Sequence, residues 1–189
     1  IERTEGEDIT YPNRILDFTK AQHFVLGYNF KITKNLRFRI EPYYQILSNL
    51  AVVEDSPVAM INIQQLHDFN LELKSSGKGR NYGIDLTFER FLNKGYYYLV
   101  TASLFESKYT GGDGIERNTL YNHNYLMNVL AGKEFKFGTK KNHILGLNAR
   151  LYIKGGDRLT PPDIETSENL ERIILDYDNY FEEQAPTTY

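Results

Sequence analysis

The side chains able to do chemistry are few and poorly grouped. The four histidines are His23, His67, His123 and His143. None stands in the His-x-x-x-His or His-Glu-x-x-His spacing that brings two imidazoles to one metal ion. His67 is followed by Asp68 in a loop-like segment, with no third ligand near it. The chain has no cysteine, which removes thiolate metal sites and disulfides together. Ser75-Ser76-Gly77-Lys78-Gly79 resembles a phosphate loop in composition, but it lacks the Gly-x-x-x-x-Gly-Lys-Ser/Thr spacing and a following helix. It reads as a flexible connector. Asp113, in Gly111-Gly112-Asp113-Gly114, and Glu116 supply two carboxylates where calcium takes roughly six to eight oxygens. Adjacent acids such as Glu182-Glu183 read as solvated loop charges. A hydrolase needs a nucleophile beside a base, and no such pair stands out. The expectation is therefore no catalytic residue, no metal and no cofactor.

A second kind of patterning is stronger. In Leu36–Leu47 the residues Leu36, Phe38, Ile40, Pro42 and Tyr44 alternate with Arg37, Arg39, Glu41, Tyr43 and Gln45. Asn81–Phe91 and His143–Lys154 repeat the alternation. Period-two patterning means strands with one apolar and one polar face. A face this apolar, backed by one this charged, suits a wall with lipid on one side and water on the other. On that reading Arg37, Arg39, Glu41, Asp85, Glu89 and Arg150 face a barrel lumen. There they pair across neighbouring strands or line a solute's route. Phe69, Tyr109 and Asp113 fall in the long loops and are the candidates to touch a ligand.

Composition is compatible with such a wall. The chain has 189 residues, a formal charge of -3 and a mean hydropathy of -0.50. The weak net charge gives no electrostatic footprint for nucleic acid. No run of about 18 apolar residues exists to form a membrane helix, but a strand hides its membrane signal in alternation. There are 15 Tyr, 11 Phe and no Trp. Tyrosine suits strands and membrane–water borders, where its hydroxyl stays wet.

Six antiparallel strands are expected, at about 22–32, 36–47, 81–91, 96–109, 121–137 and 143–154. The second has room to run on to Val53. Short turns are expected at 33–35, 93–95 and 138–142, with Gly95 supplying positive φ. Long loops are expected at 49–79, 110–119 and 155–189, with Leu170–Leu175 a possible helical turn. Short and long connections thus alternate, as in an up-and-down meander whose short turns share one end. In outer-membrane barrels the short turns are periplasmic and the long loops extracellular.

Several segments resemble one family. Asn13 to Tyr28 is similar to the stretch leading into a late barrel strand of TonB-dependent outer-membrane receptors of the Bacteroidetes type, most clearly at Lys20-Ala21-Gln22-His23 and Leu26-Gly27-Tyr28. Gly79-Arg80-Asn81-Tyr82-Gly83-Ile84-Asp85-Leu86 resembles that family's strand after a large extracellular loop. Gly95-Tyr96-Tyr97-Tyr98 and Ser103-Leu104-Phe105-Glu106-Ser107-Lys108 resemble the next strand, and Gly155-Gly156-Asp157-Arg158 with Thr160-Pro161 a later loop. The resemblance spans about residues 11–165.

What it implies is an all-β piece: about six strands of a transmembrane barrel of about 22. Residues 1–21 would be an extracellular loop leading into the barrel, 22–154 the six strands, and 155–189 a long extracellular loop ending before the closing strands. The family's plug and TonB-contact segment are not in this sequence. Ile1 to Asp8 is acidic and has no apolar core of a secretion signal. The chain is therefore expected to be part of a longer protein of the bacterial outer membrane. That protein's partners would be membrane lipid, the TonB system through the plug, and a scarce solute such as a siderophore, glycan or peptide. The alternative expectation is a soluble or surface-exposed β-sandwich or barrel that binds a carbohydrate-type ligand. In it the apolar faces would meet in one core.

Overall fold

The structure is a computed structural model that describes residues 3–5, 8–63 and 71–189. Its strands in chain order are β1 (Arg3–Glu5), β2 (Asp8–Thr10), β3 (Lys20–Val25), β4 (Tyr28–Thr33), β5 (Leu36–Val52) and β6 (Lys74–Asn93). They continue with β7 (Tyr96–Thr110), β8 (Glu116–Asn118), β9 (Tyr125–Phe137), β10 (His143–Lys154), β11 (Arg158–Leu159) and β12 (Glu183–Gln184). Two short 3-10 turns, Pro12–Ile15 and Met60–Asn62, and one helix, α1 (Ile164–Asn169), complete the elements. No described helix is long and apolar enough to cross a membrane.

The main sheet is antiparallel throughout, in the order β10-β9-β7-β6-β5-β3, with β4 also on β5 and β8 on β7. Neighbours in sequence are neighbours in space, so the all-β, up-and-down meander is as expected. Among the described residues the sheet does not close: β10 forms one edge, and β3 with β4 the other.

The expected first strand, 22–32, is two strands with a break at Leu26-Gly27. Pro42 explains it. The Leu26 amide donates to the Pro42 carbonyl at 3.1 Å. Pro42 has no N–H to return the bond. In an antiparallel pair both polar groups of a residue point to the same neighbour, so Pro42 weakens only the edge side. Its pairing with Ile84 on the β6 side continues unbroken.

The connections are shorter than expected. Strand β5 runs to Val52 and β6 begins at Lys74, so Ser75 to Gly79 are strand rather than flexible connector. Gly77 faces Leu50 where the β5–β6 register shifts, and a side chain there would collide with the Val52 and Leu50 side chains. Glycine is needed here for close approach and not for flexibility. The 110–119 loop holds β8, which extends the β7 ladder. The fifth strand begins at Tyr125 rather than near 121. The helical turn expected at 170–175 lies earlier, as α1. It is capped by Asp163, whose side chain accepts from the Thr166 amide at 3.0 Å. Lys94 (φ 54°) and Gly95 (φ 79°) make the tight left-handed turn between β6 and β7.

Register carries the two-faced pattern across the sheet. Phe30, Phe38, Phe88, Val100, Val129 and Leu151 form one continuous cross-strand row. Two residues along, Tyr28, Ile40, Leu86, Ala102, Met127 and Ile153 form the next. No described helix or second sheet covers this face. Phe24, Leu104 and Leu147 are each more than half exposed. The buried cluster sits instead at the long-loop end: Leu50, Val52, Ala59, Tyr109 and Phe181, with Leu47, Ile61, Leu120 and Tyr180 against it.

A sheet with two unpaired edges and an uncovered apolar face buries its greasy surface only against something else. The isolated chain is expected to aggregate in plain buffer and to become dispersed only in detergent or on pairing its edges. Sedimentation velocity across a concentration series checks this; a sharp, concentration-independent monomeric melt without detergent contradicts it.

Candidate functional site: the polar face and its loop cap

The polar face is held together across strands. Arg37 and Glu89 are register partners and form an ion pair at 2.6 Å. Arg39 pairs with Glu41 along the same strand. Glu41 lies directly opposite Asp85, an arrangement of like charges that destabilises a sheet unless each is compensated. Arg39 compensates Glu41, and the Ser103 hydroxyl donates to Asp85. Five of the six expected lumen-facing residues thus gather on β5 and β6. Arg150 lies on the same face but out on β10, where it donates to Asn128 at 3.0 Å.

Toward the long loops the network becomes neutral. Asn81 donates to Gln45 at 2.6 Å, Ser107 to Asn81 at 2.7 Å, and Thr119 to Ser107 at 2.7 Å. The Tyr43 hydroxyl lies over Gly83, where a side chain would clash with it. Beside this network is a hollow of about 190 Å³ lined by His23, Val25, Glu41, Tyr43 and Asp85. A second hollow shares Glu41 and Asp85 and reaches Thr87, Thr101 and Ser103. The surface offers fixed donors and acceptors, which suits a polar solute. Among the described residues no group of three or more His, Asp or Glu is placed to hold a metal.

The loop-end cluster is a cap built over the sheet. Tyr109 is wholly buried, and its hydroxyl donates to the Pro57 carbonyl at 2.7 Å. It ties the 53–63 segment to β7 and has no surface to offer a ligand. Burial drives its hydroxyl pKa well above the ordinary tyrosine value. Asp113 is turned inward and pairs with Arg117 at 2.6 Å, the Arg side chain being 3% exposed and the Asp 17%. Phe69, the remaining loop candidate, lies outside the described residues.

Asn122, on the polar face by alternation, and Arg158 and Gly156, which alternation does not single out, organise the cap. Asn122 accepts from the Ser107 amide at 3.0 Å and donates to Glu106 and Asn118. Arg158 donates to the Asn122 carbonyl at 3.0 Å and to the Asn124 side chain at 2.7 Å, which pins the segment after β10 to the one before β9. Gly156 passes so close to Ala185 that any side chain would strike its carbonyl. Asp157 accepts from Lys154 at 2.6 Å, with His123 3.4 Å away. The Lys154 contact holds its carboxyl below the ordinary range.

In comparisons with known proteins, the chain matches no family model, no curated protein and no solved structure.

Tyr109→Ala is expected to cost the cap about 4 kcal/mol, and Tyr109→Phe about 1 kcal/mol. The measurement is hydrogen exchange at the Val53 and Gly112 amides; equal protection in all three proteins contradicts it. Because the folded pKa of Asp157 is lowered, its contribution is complete above the ordinary carboxylate value of about 3.9. It is lost as pH falls through the lowered value. A carboxyl NMR titration of Asp157 should show that depressed midpoint, and Lys154→Gln should return it toward the ordinary one.

Proposed function

We propose that this chain is part of the wall of an outer-membrane β-barrel of the TonB-dependent receptor type. The whole protein binds a scarce solute in its extracellular loops and admits it to the periplasm when TonB, acting through a plug, opens the lumen. It does no chemistry on the solute, and siderophore, glycan and peptide all suit that role.

One observation carries the reading: the apolar face is a band with aromatic and cationic borders. At the loop border Tyr44 stacks on Tyr82 at 6.1 Å, and Arg80 lies over Tyr82 at 5.9 Å. At the turn border Tyr98 packs on Phe88 at 5.5 Å, and Arg90 lies over Tyr96 at 4.3 Å. Between Tyr82 and Arg90 the face of β6 is Ile84, Leu86 and Phe88. That interval is about 26 Å along the strand, or about 20 Å at a tilt of about 40°, close to the apolar height of such barrels. Aromatic rings suit headgroup depth, and long cations on the lipid side reach outward to water. The opposite face, with Arg37, Arg39, Glu41, Asp85, Glu89 and Arg150, is the lumen wall in this reading. The open edges then pair with further staves.

The full-length protein is expected in the outer-membrane fraction, with a mobility in gel electrophoresis that changes on heating. A protein recovered in the soluble fraction overturns the reading. Within the barrel, Leu86→Arg, at mid-band on the lipid side, should reduce stability by about 2–4 kcal/mol. Thr87→Arg, its neighbour on the polar face, should cost far less. Chemical unfolding in detergent micelles compares the two, and equal losses would contradict the assignment of faces.

A further inference from the structure

The buried cluster of the cap takes the polar side of the sheet. On β6, Gly77 and Gly79 are buried, while Lys78 and Arg80 are exposed. Gly79 shares its face with Asn81, Asp85 and Glu89, because successive side chains alternate. A side chain at Gly79 would meet Leu47 and Leu50, and one at Gly77 would meet Leu50 and Val52. Tyr109 is the register partner of Gly79, as Ser103 is of Asp85. Leu50, Val52, Ala59, Tyr109 and Phe181 therefore gather on the face that carries the charged groups, at its loop end.

Two long connections meet there. Segment 53–63 is fastened by the Tyr109 hydroxyl, which donates to the Pro57 carbonyl at 2.7 Å, by the Gly112 amide, which donates to the Ser56 carbonyl at 2.9 Å, and by the Leu120 amide, which donates to the Asn62 side chain at 3.0 Å. Segment 155–189 contributes Phe181, and Arg158 ties it to the Asn122 carbonyl at 3.0 Å. Tyr109 stands six residues from Ser103 along β7, or about 20 Å. The cap is thus a step raised from the face that holds Glu41 and Asp85 further down. Lys78 and Arg80, on the band side of the same strand end, stay open to solvent.

We propose that in the barrel this cap is a ledge projecting over the mouth of the lumen, and that it limits the size of solute able to reach the level of Glu41 and Asp85. A connection rising straight from its strands would leave the polar face open along its whole length. These connections bend inward, and their apolar residues hold the bend. The ties are buried and come from several elements, so the opening is set by packing and is narrow before any solute arrives. The inference rests on the wall reading above and adds to it a size filter at the extracellular end.

The test uses the full-length protein in its outer membrane, freed of any other cysteine, and labels single cysteines from outside intact cells. Ser103→Cys reports the polar face below the cap, Lys78→Cys the exposed loop end, and Leu86→Cys the lipid side. A small charged maleimide should label Ser103→Cys and Lys78→Cys. A polymer-linked maleimide should label Ser103→Cys more slowly than Lys78→Cys by on the order of tenfold. Tyr109→Ala or Arg158→Gln should raise the large reagent's rate at Ser103→Cys by about that factor, because access then follows the fraction of caps that are open. Tyr109→Phe should leave the rate near its starting value. Heat-dependent mobility in gel electrophoresis shows which variants keep the barrel, and Arg158→Gln carries the test where Tyr109→Ala does not fold. Equal labelling of both sites by the large reagent, with the cap intact, overturns the inference. So does an exclusion that neither loosened variant relieves, which places the obstruction elsewhere in the lumen. Both of these results leave the wall reading standing. A small reagent that reaches Leu86→Cys but not Ser103→Cys overturns the wall reading as well.

Discussion

The structure depends on one register. Between Leu36 and Lys154 the meander pairs so that two apolar rows, through Phe38 and Ile40, run across five strands. Side chains alternate with a period of two, so a slip of one residue anywhere would turn a whole strand inside out. Phe38 opposite Phe88, and Arg37 opposite Glu89, are one residue apart in the ladder, and each pairing disfavours the slip. Among the described residues the sheet has no second layer to correct an error. Cross-strand pairs and the turn at Lys94-Gly95 therefore do the work that a packed core does elsewhere.

This register was also what could be read from the chain alone. Alternation over 36–47, 81–91 and 143–154 predicts strand, face and neighbour together, because each is a local consequence of the pleat. The polar cluster on β5 and β6 follows from the same parity. What could not be read depends on contacts between segments far apart in sequence. Ser75 to Gly79 looks like a linker by composition; only the approach of Leu50 and Val52 makes Gly77 a strand residue. Tyr109 looks like a loop-edge aromatic, yet it is the centre of the cap because the Pro57 carbonyl, more than fifty residues earlier, accepts its hydrogen bond. Arg158 gives no periodic signal, and its partners are backbone and side-chain oxygens at Asn122 and Asn124. The break at Leu26-Gly27 does have a signal, Pro42. Using it requires knowing that Pro42's missing amide faces the edge.

The molecule thus divides its stability in two. The middle of the sheet is held by backbone ladders and surface pairs, while the buried cluster gathers where the loop ends of β5 and β7 meet the long connections. The long connections are ordered by specific ties: a buried Arg117 paired with a half-buried Asp113, a buried tyrosine, glycines at crossing points and Arg158 as a clasp. A buried ion pair is expensive to break from one side only, because the survivor stays charged and dry. The cap is accordingly built with the loop ends of β5 and β7, and among the described residues its cluster is the sheet's buried core.

The missing bond at Pro42 has a mechanical side. The outermost stave is two half-strands, each with its own ladder to β5 and joined at Leu26 by a single amide contact. Load applied to the upper half, Lys20–Val25, passes into β5 above the proline and reaches Tyr28–Thr33 only through covalent chain and β5 itself. The edge therefore works as two short shutters on one post rather than as a single stiff board. The upper shutter can peel while the lower keeps its place.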